Sequence, residues 1–183
     1  LQLLRNPDFV KYGLEKLIPE VVAAVKPYEE AFGKKIPVIA AGGIYYGGDI
    51  KKYLDLGATG VQMATRFVTT HECDANIKFK EEYLNCKEQD IINIYSPVGM
   101  PGRAINNKFL EEVALGTRTP INCKCHCLKN CKPKESPYCI ARALIEAQQG
   151  KFDNGFVFCG SNAWRTKEDG IIGVKELFGK LDQ

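Results

Sequence analysis

Long apolar runs are missing from this sequence of 183 residues. None approaches the roughly 20 consecutive apolar residues that a membrane-spanning helix needs, which argues against a membrane protein. Charge of one sign is scarce as well. The 25 Lys and Arg nearly balance the 22 Asp and Glu, for a formal net charge of +3. That balance gives no electrostatic reason to expect nucleic acid or an anionic membrane as a partner. Histidine occurs twice, as His71 and His126. No Ser–His–Asp set is evident, so hydrolysis by an activated serine is not expected. Internal repeats and low-complexity tracts are absent, which sets aside solenoids and extended linkers.

What is present describes an ordinary globular chain, 45% hydrophobic and 26% charged. Its length suits one domain with a sizeable core, and its composition does not suggest disorder. Cysteine is abundant, with eight in all, and five of them (Cys123, Cys125, Cys127, Cys131 and Cys139) crowd into one segment. A secreted disulfide scaffold would be shorter and would spread its cysteines as a framework, so reduced thiols or a metal are expected, in a cytoplasmic enzyme. The sequence opens on Leu1 rather than Met, and Leu1–Val10 reads as the interior of something longer.

Local signals place the elements. Pro19 suits the first turn of a helix through Val21, Val22 and Val25, which Pro27 should kink or end; a short turn at Ala31–Phe32 then closes at Gly33. Ile36–Ala41 is a short apolar run of the kind that forms a buried parallel strand. It ends in Gly42–Gly43. Asp49 reads as an N-cap for a helix presenting Ile50, Tyr53 and Leu54 and stopping at Gly57. Gly60–Met63 is a second short strand, with a helix starting near Thr65. Asp74 reads as the cap of a helix bearing Ile77, Lys80, Tyr83 and Leu84. Ile91–Tyr95 reads as a strand or a loop, Ser96–Ile105 as a loop, and Phe109–Leu115 as a helix. Ile121–Pro137 reads as irregular. Ser136–Pro137 looks like an N-cap and first-turn pair for a helix to Gln149. Phe156–Phe158 is a short apolar segment leading into Gly160–Arg165, and Val174–Leu181 is a final amphipathic helix.

Two strand–loop–helix units thus follow each other closely, which implies parallel pairing. Each strand ends in small residues that leave backbone N–H groups open, and Thr65 adds a hydroxyl. Such groups at a helix start favour an anion. In (β/α)8 barrels a phosphate site commonly lies after strands seven and eight. The alternative is that Gly42–Gly43 forms only a tight turn; a second unit at the right distance favours the phosphate reading.

The residues Ile36–Ile44 (IPVIAAGGI), Gly57–Phe67 (GATGVQMATRF) and Gly99–Phe109 (GMPGRAINNKF) resemble the nitronate monooxygenase family, formerly called 2-nitropropane dioxygenase. A related group is the FMN-dependent enoyl-acyl-carrier-protein reductases. The resemblance runs over essentially the whole chain. It implies an α/β fold: the C-terminal part of a (β/α)8 TIM barrel over residues 1–70, followed over 71–183 by a helical, cysteine-rich extension. It also implies non-covalent FMN, with Gly42 and Gly43 holding the flavin phosphate from one side and Gln62, Met63, Ala64 and Thr65 from the other. Many relatives have Gly in place of Ala64; the added methyl is small and the N–H is kept. The family's catalytic base is a histidine on a glycine-rich loop, expected upstream of Leu1; neither His71 nor His126 matches it. Arg103, Ser161 and Asn162 fall in loops that relatives place near substrate and flavin, although a surface role for Arg103 stands beside that reading.

Cys123, Cys127, Cys131 and Cys139 follow a C-x3-C-x3-C-x7-C pattern. Four close thiolates suit zinc or an iron–sulfur cluster, yet the spacing is not that of a zinc ribbon, so packing or reduced cysteines remain the other reading. Lys124, Lys129, Lys132 and Lys134 would stabilise thiolates, or form a solvated basic face. The function expected is FMN-dependent oxidation of an alkyl nitronate with O2. Enoyl reduction with NAD(P)H is the alternative, and a non-catalytic metal-binding or redox-sensing segment is a third reading of another class. The partners expected are small molecules, with a homo-oligomer left open.

Overall fold

Two three-residue strands pair in parallel at the centre of the first part of the chain. In the computed structural model, which describes residues 12–118, 122–123, 125, 127–129 and 131–182, helix α1 (Leu14–Phe32) leads to β1 (Ile39–Ala41), α2 (Gly47–Asp55), β2 (Gly60–Gln62) and a single turn of helix, α3 (Thr65–Val68). Ile39 stands opposite Gly60, Ala40 opposite Val61 and Ala41 opposite Gln62. The expected strands are therefore both present, though shorter than the apolar runs that announced them. Ile18 of α1 and Tyr53 of α2 close over Ala40 and Ala58 to form the core beneath this pair.

Helix α4 (Ile77–Asn85), an antiparallel hairpin of β3 (Ile91–Tyr95) and β4 (Pro101–Ile105), α5 (Lys108–Ala114), α6 (Ile140–Gln148), a 3-10 turn (Ala163–Glu168) and α7 (Val174–Leu181) follow. Phe158 bridges to Ala104 and extends the hairpin on the β4 side. Phe109, Tyr138 and Phe156 pack edge to face and stacked in the core beneath it. The later segments fold back onto the strand pair. Thr70 bridges in parallel to Ile172, and Leu177 and Leu181 of α7 pack against Ile50, Met63 and Phe67.

Several sequence expectations are corrected. Helix α1 begins five residues before Pro19 and runs on through Pro27, which supplies no N–H to it, to a left-handed C-cap at Gly33. Asp49 is not the N-cap of α2 but its third residue; its Oδ2 accepts from the N–H groups of Tyr45 and Tyr46, at 2.9 and 3.0 Å. Leu54 faces solvent. Asn76, rather than Asp74, caps α4, its side chain accepting from Lys78 N–H. Pro101–Ile105, read as loop, is a strand. Ser136 caps nothing: its hydroxyl donates to the Lys132 carbonyl, and α6 starts after Cys139. The readings of Leu1–Val10, Ile121, Lys124 and His126 fall outside the described residues.

Candidate functional site

The chain turns sharply where β1 ends. Gly42 and Gly43 have φ of 108° and 72°, a region that side-chain-bearing residues enter only with strain. A Cβ on Gly42 would meet nothing within 4 Å, whereas one on Gly43 would come 3.3 Å from Ser161 Oγ. Opposite lies the end of β2, where Ala64 precedes α3. These two lips enclose a cavity of about 310 Å³. Gly42, Gly43, Gln62, Met63, Ala64 and Thr65, the six residues expected to hold a phosphate, all line it, as does Asn162.

The N–H groups of Gly43, Ala64 and Thr65 have no acceptor among the described residues. Backbone donors rarely stay unpaired, so an anion's oxygens suit this mouth. Helix α3 is one turn long, too short for an appreciable macrodipole. Any attraction for an anion comes from these local donors.

A third segment fastens both lips. Asn162 Nδ2 donates to the Gly43 carbonyl at 2.6 Å, and Gly160 N–H donates to Thr65 Oγ1 at 2.8 Å. Asn162 thus orients the glycine turn while lining the cavity, and Ser161 stands beside Gly43 without lining it. Met63 also packs into the core beneath both strands and α7. Arg103 lies on β4, opposite Asn93, and does not line the cavity; its carbonyl accepts from Cys159 N–H at 2.9 Å.

Sequence reasoning missed several parts of the wall, among them Tyr45, Phe158 and Cys159. The apolar run Phe156–Phe158, leading straight into the Gly160–Asn162 loop, was the available signal. Burial first, and the neighbouring Cys86 second, push the Cys159 thiol up to about 12. It is therefore a neutral wall group and not a nucleophile near pH 7.

Behind the lips lies a charged network that no local pattern announces. Arg66 is 5% exposed. Its guanidinium lies 4.4 Å from the centre of the Tyr45 ring, donates to Tyr45 Oη at 3.3 Å and pairs with Asp169. Asp169 also accepts from Lys180 of α7 at 2.6 Å. Burial raises the Asp169 carboxyl, but hydrogen bonds from Lys180 and Arg66 outweigh it and hold the group below its usual value. Burial pushes Tyr45 up to about 12.

The clustered cysteines form no metal-holding group among the described residues. Among the described residues no three His, Cys, Asp or Glu side chains converge in a way that could hold an ion. Cys125 and Cys127 are exposed, and Cys123, Cys131 and Cys139 are half-buried. A spacing in sequence fixes no geometry in an irregular loop. His71 is exposed. No helix among the described residues is long and apolar enough to cross a membrane.

The family model for nitronate monooxygenase matches residues 5–183. A probable nitronate monooxygenase of Staphylococcus aureus is 37% identical over 102 residues, covering 56% of this chain and 26% of that protein. Among solved structures, FabK from Thermotoga maritima superposes with a TM-score of 0.69 at 26% identity, over 91% of this chain and 47% of the other. The nitroalkane oxidase of Streptomyces ansochromogenes does so with a TM-score of 0.60 at 22% identity, over 90% of this chain and 42% of its own, a likeness of fold alone. The chain thus spans less than half the length of the relatives it matches, and its α/β fold is part of a TIM barrel.

Proposed function

Because the chain belongs to the nitronate monooxygenase family, we propose that it supplies the FMN phosphate site of a flavin-dependent oxidoreductase that oxidises alkyl nitronates with O2. The observation that carries this reading is that Gly42–Gly43 and Gln62–Thr65 line one cavity, with backbone donors on both lips that have no acceptor among the described residues. When bound, the flavin would supply the electron transfer, and the protein would supply position and electrostatics.

This chain's own residues have definite parts in that reading. Gly43, Ala64 and Thr65 offer N–H groups to the phosphate, and Gly42 gives the turn its shape. Gln62 and Met63 complete the second lip. Asn162 fixes the Gly43 peptide, and Ser161 limits the space beside it. Arg103 acts at one remove, through the Cys159 backbone. We place the phosphate site within residues 1–70, completed by the loop at 160–162 from the 71–183 region. No residue of this chain is proposed as the base that manages the substrate's acidic α-proton, because His71 is exposed and does not line the cavity. Nor is a zinc or iron–sulfur role proposed for Cys123, Cys127, Cys131 and Cys139, since no three potential ligands converge among the described residues.

The test is anaerobic mixing of the full-length, FMN-loaded protein with an alkyl nitronate or with NADPH, following the visible flavin absorbance. Bleaching by the nitronate alone is expected. Bleaching by NADPH alone would favour enoyl reduction instead, and bleaching by neither would contradict both.

A further inference from the structure

The two lips of the cavity come from different loops, after β1 and after β2, and the strands behind them pair over only three residues each. A phosphate held from both sides needs those loops in fixed register, to a fraction of an ångström. One side chain spans them from behind. Arg66 directly follows Thr65 on the second lip. Its guanidinium stacks on and donates to Tyr45, which lies two residues beyond Gly43 and lines the cavity on the first. Asp169, at the end of the 3-10 turn, pairs with the same terminal guanidinium nitrogen that donates to Tyr45, and is itself held by Lys180. Arg66 Nε is buried without a partner among the described residues. An arginine kept in so confined a place, with a donor unpaired, is held there by its other contacts, and a lysine could not lay a planar group over the Tyr45 ring while reaching Asp169.

We propose that Arg66 is a positioning residue for phosphate recognition: stacked on Tyr45 and anchored by Asp169, it locks the Gly42–Gly43 lip against the Ala64–Thr65 lip. This rests on the reading of the cavity as the FMN phosphate site. Arg66 does not touch the ligand. It sets how well the backbone donors of both lips converge on the phosphate, and the rest of the flavin does not depend on it.

FMN and riboflavin differ only by the phosphate, so together they isolate that effect. The dissociation constants of both, read from quenching of flavin fluorescence in the full-length protein, are compared for the wild type, Arg66→Lys and Asp169→Asn. The wild type is expected to prefer FMN. Both variants should weaken FMN about tenfold, equivalent to about 1.4 kcal/mol, and leave riboflavin within about twofold. Arg66→Lys keeps the positive charge, so its loss of preference reports position rather than charge. Should Arg66→Lys fail to fold, Asp169→Asn, which keeps the size of the side chain, carries the same expectation. Equal losses for both flavins, or an unchanged preference, would overturn the role of Arg66. A wild type that does not prefer FMN over riboflavin would overturn the phosphate reading itself and this role with it.

Discussion

Gly43 combines two constraints in one residue: a φ of 72° and a neighbour, Ser161 Oγ, 3.3 Å from where a Cβ would stand. Replacing it by alanine should cost about 1–2 kcal/mol from the left-handed backbone alone. Gly43→Ala is therefore expected to lower the urea midpoint and to weaken FMN together; a variant as stable as the wild type would show that the glycine is not required. Asp169 makes a prediction with a definite sign. Its folded pKa is lowered, so its contribution is complete above the unfolded value of about 3.9 and is lost as pH falls through the folded value. The stability gap between the wild type and Asp169→Asn should hold at neutral pH and shrink only below the usual carboxylate range. A gap that stays constant throughout an acid titration would contradict the ion pairs described. Gly42–Gly43 was legible in the sequence because a left-handed turn after an apolar strand demands glycine locally. The pairing of Arg66 with Asp169 was not, because it joins residues far apart in sequence and depends on how α7 docks.

At the scale of elements, local chemistry decides some boundaries and packing decides others. Helix α2 starts where Asp49 turns back to accept from Tyr45 and Tyr46. Asp49→Ala should cost about 1 kcal/mol, the usual worth of a satisfied helix N-terminus. Because Tyr45 sits on the cavity wall, the same substitution should also loosen flavin binding. Equilibrium unfolding and flavin titration check both, and an unaltered stability would remove Asp49 from this role. The acidic residue was visible in sequence, but its position within the first turn was not. Strand β4 was hidden more thoroughly. Pro101 and Gly102 read as loop residues, and only pairing with β3, together with the Phe158 segment on its other side, makes them extended. Gly102 is required there because a Cβ would strike the Phe158 ring. Such non-local partners are what local propensity cannot report.

Across the whole chain, the apolar surface is unevenly covered. Val21, Tyr28 and Phe32 lie on one face of α1 and are 43%, 60% and 72% exposed, and Ile39 of β1 is 52% exposed. The β1–β2 pair has no third strand among the described residues. Apolar faces and open strand edges of this kind promote association. These 183 residues expressed by themselves should therefore self-associate, as light scattering would show; a monodisperse monomer would contradict this reading of the surface. The alternation of strands and helices made the α/β class readable from sequence, and the resemblance of three motifs located the site. The manner in which residues 160–182 fold back to fasten that site rests on contacts of Asn162 with Gly43, Asp169 with Arg66 and Ile172 with Thr70, which join residues far apart in sequence. The central claim is that one cavity, between the ends of β1 and β2, receives the flavin phosphate. The most direct test is a crystal structure of the full-length protein with FMN. The phosphate is expected within hydrogen-bonding distance of the Gly43, Ala64 and Thr65 N–H groups; a phosphate bound elsewhere, with this cavity holding only solvent, would contradict the account.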